Sequence, residues 1–261
     1  MCVLAADRTQ GPACALACPA ATLFRNYFVN GVGQCAAGMQ LNLLTDVAAE
    51  LDNAKHGYWR VVNGYCLEGD AEDSVARLRQ RLCAEAAETS SRDLDAFAHV
   101  ARASLLARRV MDALRVGVHW NTSVSGQRHT VAQVLCAAVP VSYSRVDAAE
   151  WQPFATTVLN AAYEATLSAA ALLAVKKKQR QVCAPCARGG VFAEGSCVSS
   201  FVVAVTVCVQ TVFLTALGGG AFGNSPEWIR DAMARAIATF QSFPLDVHLV
   251  HFGRVADEYR V

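Results

Sequence analysis

The residues best placed to do chemistry are Gly218, Gly219, Gly220, Ala221, Phe222, Gly223 and Asn224. They follow an apolar run, Val212 to Leu217, that reads as a buried strand. They precede Ser225-Pro226-Glu227-Trp228-Ile229, which reads as a helix start. Ser225 carries the side-chain oxygen an N-cap needs. Pro226 suits the first helical turn, where its missing N–H leaves nothing unsatisfied. A strand, a glycine loop and a helix N-terminus make backbone N–H groups converge on one point, a seat for an anion such as a phosphate. Asn224 and Ser225 stand where their own donors could join that cluster. The competing reading is a tight strand-to-helix turn, with glycines serving positive φ or close packing.

Other motifs narrow the chemistry. No Lys follows the glycines before the helix, so the loop is not of the nucleoside-triphosphatase type. Gly218, Gly220 and Gly223 fit G-x-G-x-x-G, but too little chain follows for a complete dinucleotide fold. Cys183-Ala184-Pro185-Cys186 has metal-ligand spacing. A structural zinc site wants four ligands, and only single cysteines, Cys197 and Cys208, follow. We therefore read free thiols there and expect no metal site. His119, His129, His248 and His251 are dispersed and read as structural or surface residues. No G-x-S-x-G nucleophile elbow is present. Asp46, Glu50 and Asp52, and Arg102, Arg108, Arg109 and Arg115, read as solvated helix faces.

Composition bounds the class. The 261 residues are 54% hydrophobic and 17% charged, enough apolar material for a sizeable core. A net charge of +1 argues against nucleic acid as the main partner. Eleven cysteines, with no basic leader or apolar h-region at Met1 to Asp7, point to reduced thiols in a cytoplasmic or nuclear protein. Val198 to Leu217 is long enough to cross a membrane. Its Ser, Thr and Gln residues and its Val-rich make-up fit buried strands better, so a membrane is not expected as a partner.

The elements that must position the loop follow from periodicity. Helices are expected over Gln40 to Asn53, Ala71 to Thr89, Arg92 to Leu114, Ala148 to Ala174 and Pro226 to Phe240. Strands are expected at Cys2 to Ala6, Cys14 to Cys18, Tyr58 to Cys66, Val116 to Asn121, Thr130 to Val141 and Asp246 to Phe252. Strands alternating with helices predict an α/β layered domain.

Gly220-Ala221-Phe222-Gly223, with the strand before it, the helix after it and the closing strand near Phe252, resembles the end of a macrodomain. That resemblance implies a three-layer α/β/α mixed sheet. It would make residues 1–261 one domain, with a helical excursion at 66–114 and an insertion at 176–204. It further implies a site for ADP-ribose, free or on an ADP-ribosylated protein, with Phe222 against a ribose and no further cofactor. More loosely, Gly31-Val32-Gly33-Gln34 before Gln40-Leu41-Asn42 is similar to the poly(ADP-ribose) glycohydrolase branch. That likeness implies Gln34 at the ligand, and the stretch Ala15 to Ala21, which resembles the strand-to-loop start of a macrodomain, implies Asn26 near the distal ribose. The branch's paired glutamates have no counterpart at Leu41 and Asn42, so the resemblance implies binding ahead of hydrolysis.

Overall fold

The computed structural model describes residues 28–29, 32–33, 42–62, 65–87, 105–123, 126–183 and 210–250. Phe28–Val29 (β1) and Val32–Gly33 (β2) pair antiparallel. The expected helix from Gln40 is shorter and broken. Thr45–Glu50 (α1) and Asn53–His56 (α2) are separated by Asp52, which turns left-handed at φ 50°. The cause is local: Asn53 donates to the Trp59 carbonyl at 2.8 Å and accepts from its N–H at 3.1 Å, which ties α2 to the next strand. The aromatic run then forms a hairpin, Trp59–Val62 (β3) against Tyr65–Glu68 (β4). Ser74–Ala87 (α3) follows, and residues 105–113 are helical (α4).

Gly117–Ser123 (β5) and Thr130–Leu135 (β6) form a second antiparallel pair, with an irregularity between His119 and Thr122 where Asn121 takes φ 57°. β6 ends short of Val141. Val141–Tyr143 is a short 3-10 helix after Pro140, which has no N–H to continue a ladder. Ala148–Cys183 is a single long helix, α5. The chain closes with Gln210–Thr215 (β7), a 3-10 turn at Gly220–Phe222, Pro226–Thr239 (α6) and Leu245–Val250 (β8). Among the described residues the strands pair in twos. The class is α/β. The strands expected at Cys2 to Ala6 and Cys14 to Cys18 lie outside the described residues.

α5 organises the packing. Trp151, Phe154 and Val158 enter one core with Leu44, Val47, Trp59, Leu78 and Val110. Leu159, Tyr163 and Leu167 enter another with Val212, Leu214, Ile229 and Met233. A helix that is apolar all round is stable only when covered on more than one side. Over Ala148–Lys176 it is also long and apolar enough, by composition, to cross a membrane, yet half of its most apolar stretch is buried inside the molecule.

β7 and β8 run parallel with Gln210 opposite Leu245 and Thr215 opposite Val250. α6 is the crossover between them. β7 is buried on one face only: Val212 and Leu214 point into the core, whereas Phe213 is 65% exposed. This corrects the reading of a strand buried on both sides. α5 and α6 cover one face of the pair, and Phe213 stacks on His248 across the other.

Of the acids read as a solvated face, Asp52 is exposed, and Asp46 and Glu50 are partly exposed and ion-paired. Asp46 takes a bidentate bond from Arg115 at 2.5 and 2.6 Å, and Glu50 pairs with Arg109. These pairs join α1 to α4 and its exit. The Phe154 ring is fully enclosed, 4.8 Å from the Trp59 ring. Phe154→Ala is expected to lower stability by about 3–5 kcal/mol, read from urea denaturation midpoints.

Candidate functional site

The loop lies at the carboxyl end of β7 and leads into α6, the place where open parallel α/β units present ligands. Ser225 caps the helix, accepting from the Glu227 N–H at 3.3 Å, and Pro226 occupies the first turn. Both follow the sequence reading. What holds the loop from behind does not, and comes from three other parts of the chain.

Tyr163, on α5, places its hydroxyl between the two sides of the strand exit. It donates to the Thr215 carbonyl at 2.7 Å and accepts from the Leu217 N–H at 2.9 Å. Asn224 is 4% exposed. Its amide donates to the Val139 and Gly218 carbonyls, both at 2.8 Å, and its own backbone N–H bonds the Gly218 carbonyl at 3.0 Å. The Asn224 side chain therefore clamps the loop to the segment after β6 and has no amide hydrogen left for a phosphate. Ser142 donates its hydroxyl to the Ala221 carbonyl. Tyr163, Val139 and Ser142 were not singled out by residue type. β6 ends at Leu135, and Pro140, just before the 3-10 turn, is the one local signal in the segment that follows it.

The glycines divide by role. At Gly223, φ is 73° and a Cβ would lie 2.8 Å from that of Ser142. At Gly218, φ is 75° and a Cβ would meet the Asn224 amide at 2.7 Å and the Ala138 Cβ at 2.9 Å. Gly220 also has positive φ, 60°, but faces open space. Among the described residues the Gly219, Gly223 and Asn224 amides are bonded inside the loop, and those of Gly220 and Ala221 donate to nothing. Both residues are exposed, and the loop runs straight into the α6 N-terminus, the positive end of the helix dipole.

Phe222 is half-buried in an aromatic group, 6.0 Å from Tyr65 and 5.6 Å from Tyr143, edge to face. It joins the loop to the β3–β4 hairpin. Next to Tyr143, the Ser144 hydroxyl donates to the Glu68 carboxylate at 2.8 Å and accepts from the Trp151 indole at 2.9 Å. Burial by itself raises the Glu68 pKa. Hydrogen bonds from its own backbone N–H, the Ser144 hydroxyl and the Arg145 N–H, together with the Arg145 charge, outweigh it and hold the carboxyl below the usual range. An ionised carboxylate has no proton to give a leaving group. Burial pushes the thiols of Cys66 and Cys136 up, the latter despite its Thr166 contact, so both stay protonated and poorly nucleophilic.

Asn26 and Gln34 lie outside the described residues, as do His251 and Cys186. His248 is exposed and 2.9 Å from Asp246 on the same strand. Among the described residues no three side chains gather as metal ligands. Comparison with models of protein families, with curated proteins and with solved structures found no match.

Gly223→Ala and Gly218→Ala are each expected to cost more than about 1–3 kcal/mol, since positive φ adds to a steric clash, whereas Gly220→Ala costs about 1 kcal/mol; thermal unfolding ranks the three. Glu68 stabilises the fold above its unfolded pKa, and that share is lost as pH falls through its depressed folded value. Ser144→Ala weakens this term and strips Trp151 of its acceptor. The variant should lose about 1–3 kcal/mol at neutral pH and show a shallower loss of stability below about pH 4.3, followed by denaturation at stepped pH.

Proposed function

We propose that this chain binds a nucleotide-diphosphate ligand, ADP-ribose or a close relative, through the loop Gly218 to Asn224. The reading includes the finer architecture of a macrodomain-like α/β/α layer arrangement, of which β7, α6 and β8 form the repeating unit. The observation that carries it is the pair of amides at Gly220 and Ala221, on exposed residues and without a hydrogen-bond partner among the described residues, on a backbone locked by Tyr163, Asn224 and Ser142. Preorganised N–H donors beside a helix N-terminus hold an anion without first spending energy on ordering the loop. In this reading the diphosphate sits on those amides, and Phe222 with Tyr143 walls the adjoining sugar.

Binding stands ahead of hydrolysis. The loop offers electrostatic donors, and the carboxylate described near it, Glu68, is held ionised. A glycosidic leaving group needs a proton donor in the transition state. ADP-ribose held on a modified protein would be recognised through the same diphosphate.

Titration calorimetry with ADP-ribose tests the reading directly. Saturable binding is expected, and its absence at millimolar ligand would sink it. Two substitutions of opposite sign sharpen the test. Gly220→Asp sets a carboxylate beside the amides in a backbone conformation that Asp tolerates, and should weaken binding at least about tenfold while the protein stays folded. Glu227 is an exposed carboxylate in the first turn of α6. Glu227→Gln should tighten binding by about twofold to fivefold at low salt, as expected for one charge near a helix N-terminus.

A further inference from the structure

A second concavity lies away from the loop, between α4, β5 and α5, with a volume of about 340 Å³. This is within the range of about 300–1,000 Å³ typical of small-molecule sites. Its floor is made by small residues one turn apart on α5, Ala161, Ala165 and Ala169. Met111, Val118 and Trp120 form apolar walls. Two large apolar side chains stand at the opening: Trp120 is 42% exposed and Leu172 is 58% exposed.

The charges around it are not balanced. Arg108 bonds both Asp112 and Glu164, and Arg235 reaches Glu164 at 3.3 Å. Both carboxylates are thus taken up by guanidinium groups. Lys176 lies over the Trp120 ring at 5.9 Å and has no carboxylate partner among the described residues. Among the described residues, Arg108, Arg235 and Lys176 stand against two carboxylates here, Asp112 and Glu164, and the cation left without a carboxylate is Lys176, over Trp120 at the apolar mouth. Covering Trp120 and Leu172 supplies the driving force, since apolar area removed from water is worth about 25 cal/mol per Å². The lysine supplies the sign preference.

We propose that this cavity binds a small amphipathic anion, an apolar chain on the alanine floor with a carboxylate head at Lys176. The site is independent of the glycine loop. The test is calorimetric titration of the full chain with sodium decanoate below its micelle concentration. Saturable binding of one decanoate per chain is expected, at least roughly tenfold tighter than decyltrimethylammonium, whose head has the opposite charge. Ala165→Phe fills the floor and should abolish binding. Lys176→Glu changes an exposed residue, leaves folding intact and should weaken decanoate roughly tenfold, so the test stands even where Ala165→Phe misfolds. ADP-ribose titrations are unchanged by Lys176→Glu. Equal affinity for the two amphiphiles, or decanoate binding indifferent to Lys176→Glu, overturns the proposal. So does sedimentation with phosphatidylglycerol vesicles in the absence of any decanoate binding, which would assign the patch to a membrane surface.

Discussion

The burial of α5 on two opposed sides is the constraint from which the rest of the molecule follows. Val158 and Leu159 are neighbours in sequence, yet one belongs to the core with α1, α3 and the β3–β4 hairpin and the other to the core with β7 and α6. Each small sheet would be marginal alone, because a two-stranded pair cannot hide both faces. Backed by a helix that is apolar all round, the β3–β4 hairpin and the β7–β8 pair each gain a covered face. The same helix carries Tyr163, so the element that builds the second core also bonds the exit of β7.

The glycine loop illustrates how stiffness and availability can coexist. Its carbonyls and inner amides are bound by Asn224, Ser142 and Tyr163, while the N–H groups of Gly220 and Ala221 have no hydrogen-bond partner among the described residues. Left-handed backbone at Gly218 and Gly223 is tolerated because no Cβ is present where Asn224, Ala138 and Ser142 approach. The conformational cost of shaping this loop, the seat proposed for an anion, is thereby met by folding. The aromatic group of Tyr65, Tyr143 and Phe222 couples this seat to the hairpin, and the Ser144 hub couples the hairpin to Trp151 at the start of α5.

Ion pairs have a different role. Arg115–Asp46, Arg109–Glu50 and Arg108–Glu164 each join elements distant in sequence, but all are partly exposed. Such pairs add little stability and mainly favour one mutual arrangement over others. Their visible effect here is on charge balance: the acids along α5 and α4 are occupied, and Lys176 is left over at an apolar opening.

Much of the local structure was legible in residue order. Period and capping chemistry located α6 from Ser225-Pro226, strand at Tyr58 to Cys66, which the structure folds into two short paired strands, and the strand–loop–helix–strand run at the end of the chain. These are short-range effects, set by residues within a few positions of each other. Tertiary structure decided what short-range rules do not carry. It left Phe213 outside by covering β7 on one side. It also turned Asn224 inward to Val139, across a separation in sequence of 85 residues. The glycines announced a tight strand-to-helix loop by their spacing. Which of their amides remain free depends on partners brought together only when α5 is enclosed, because a hydrogen bond is decided by distance in space and not by distance along the chain.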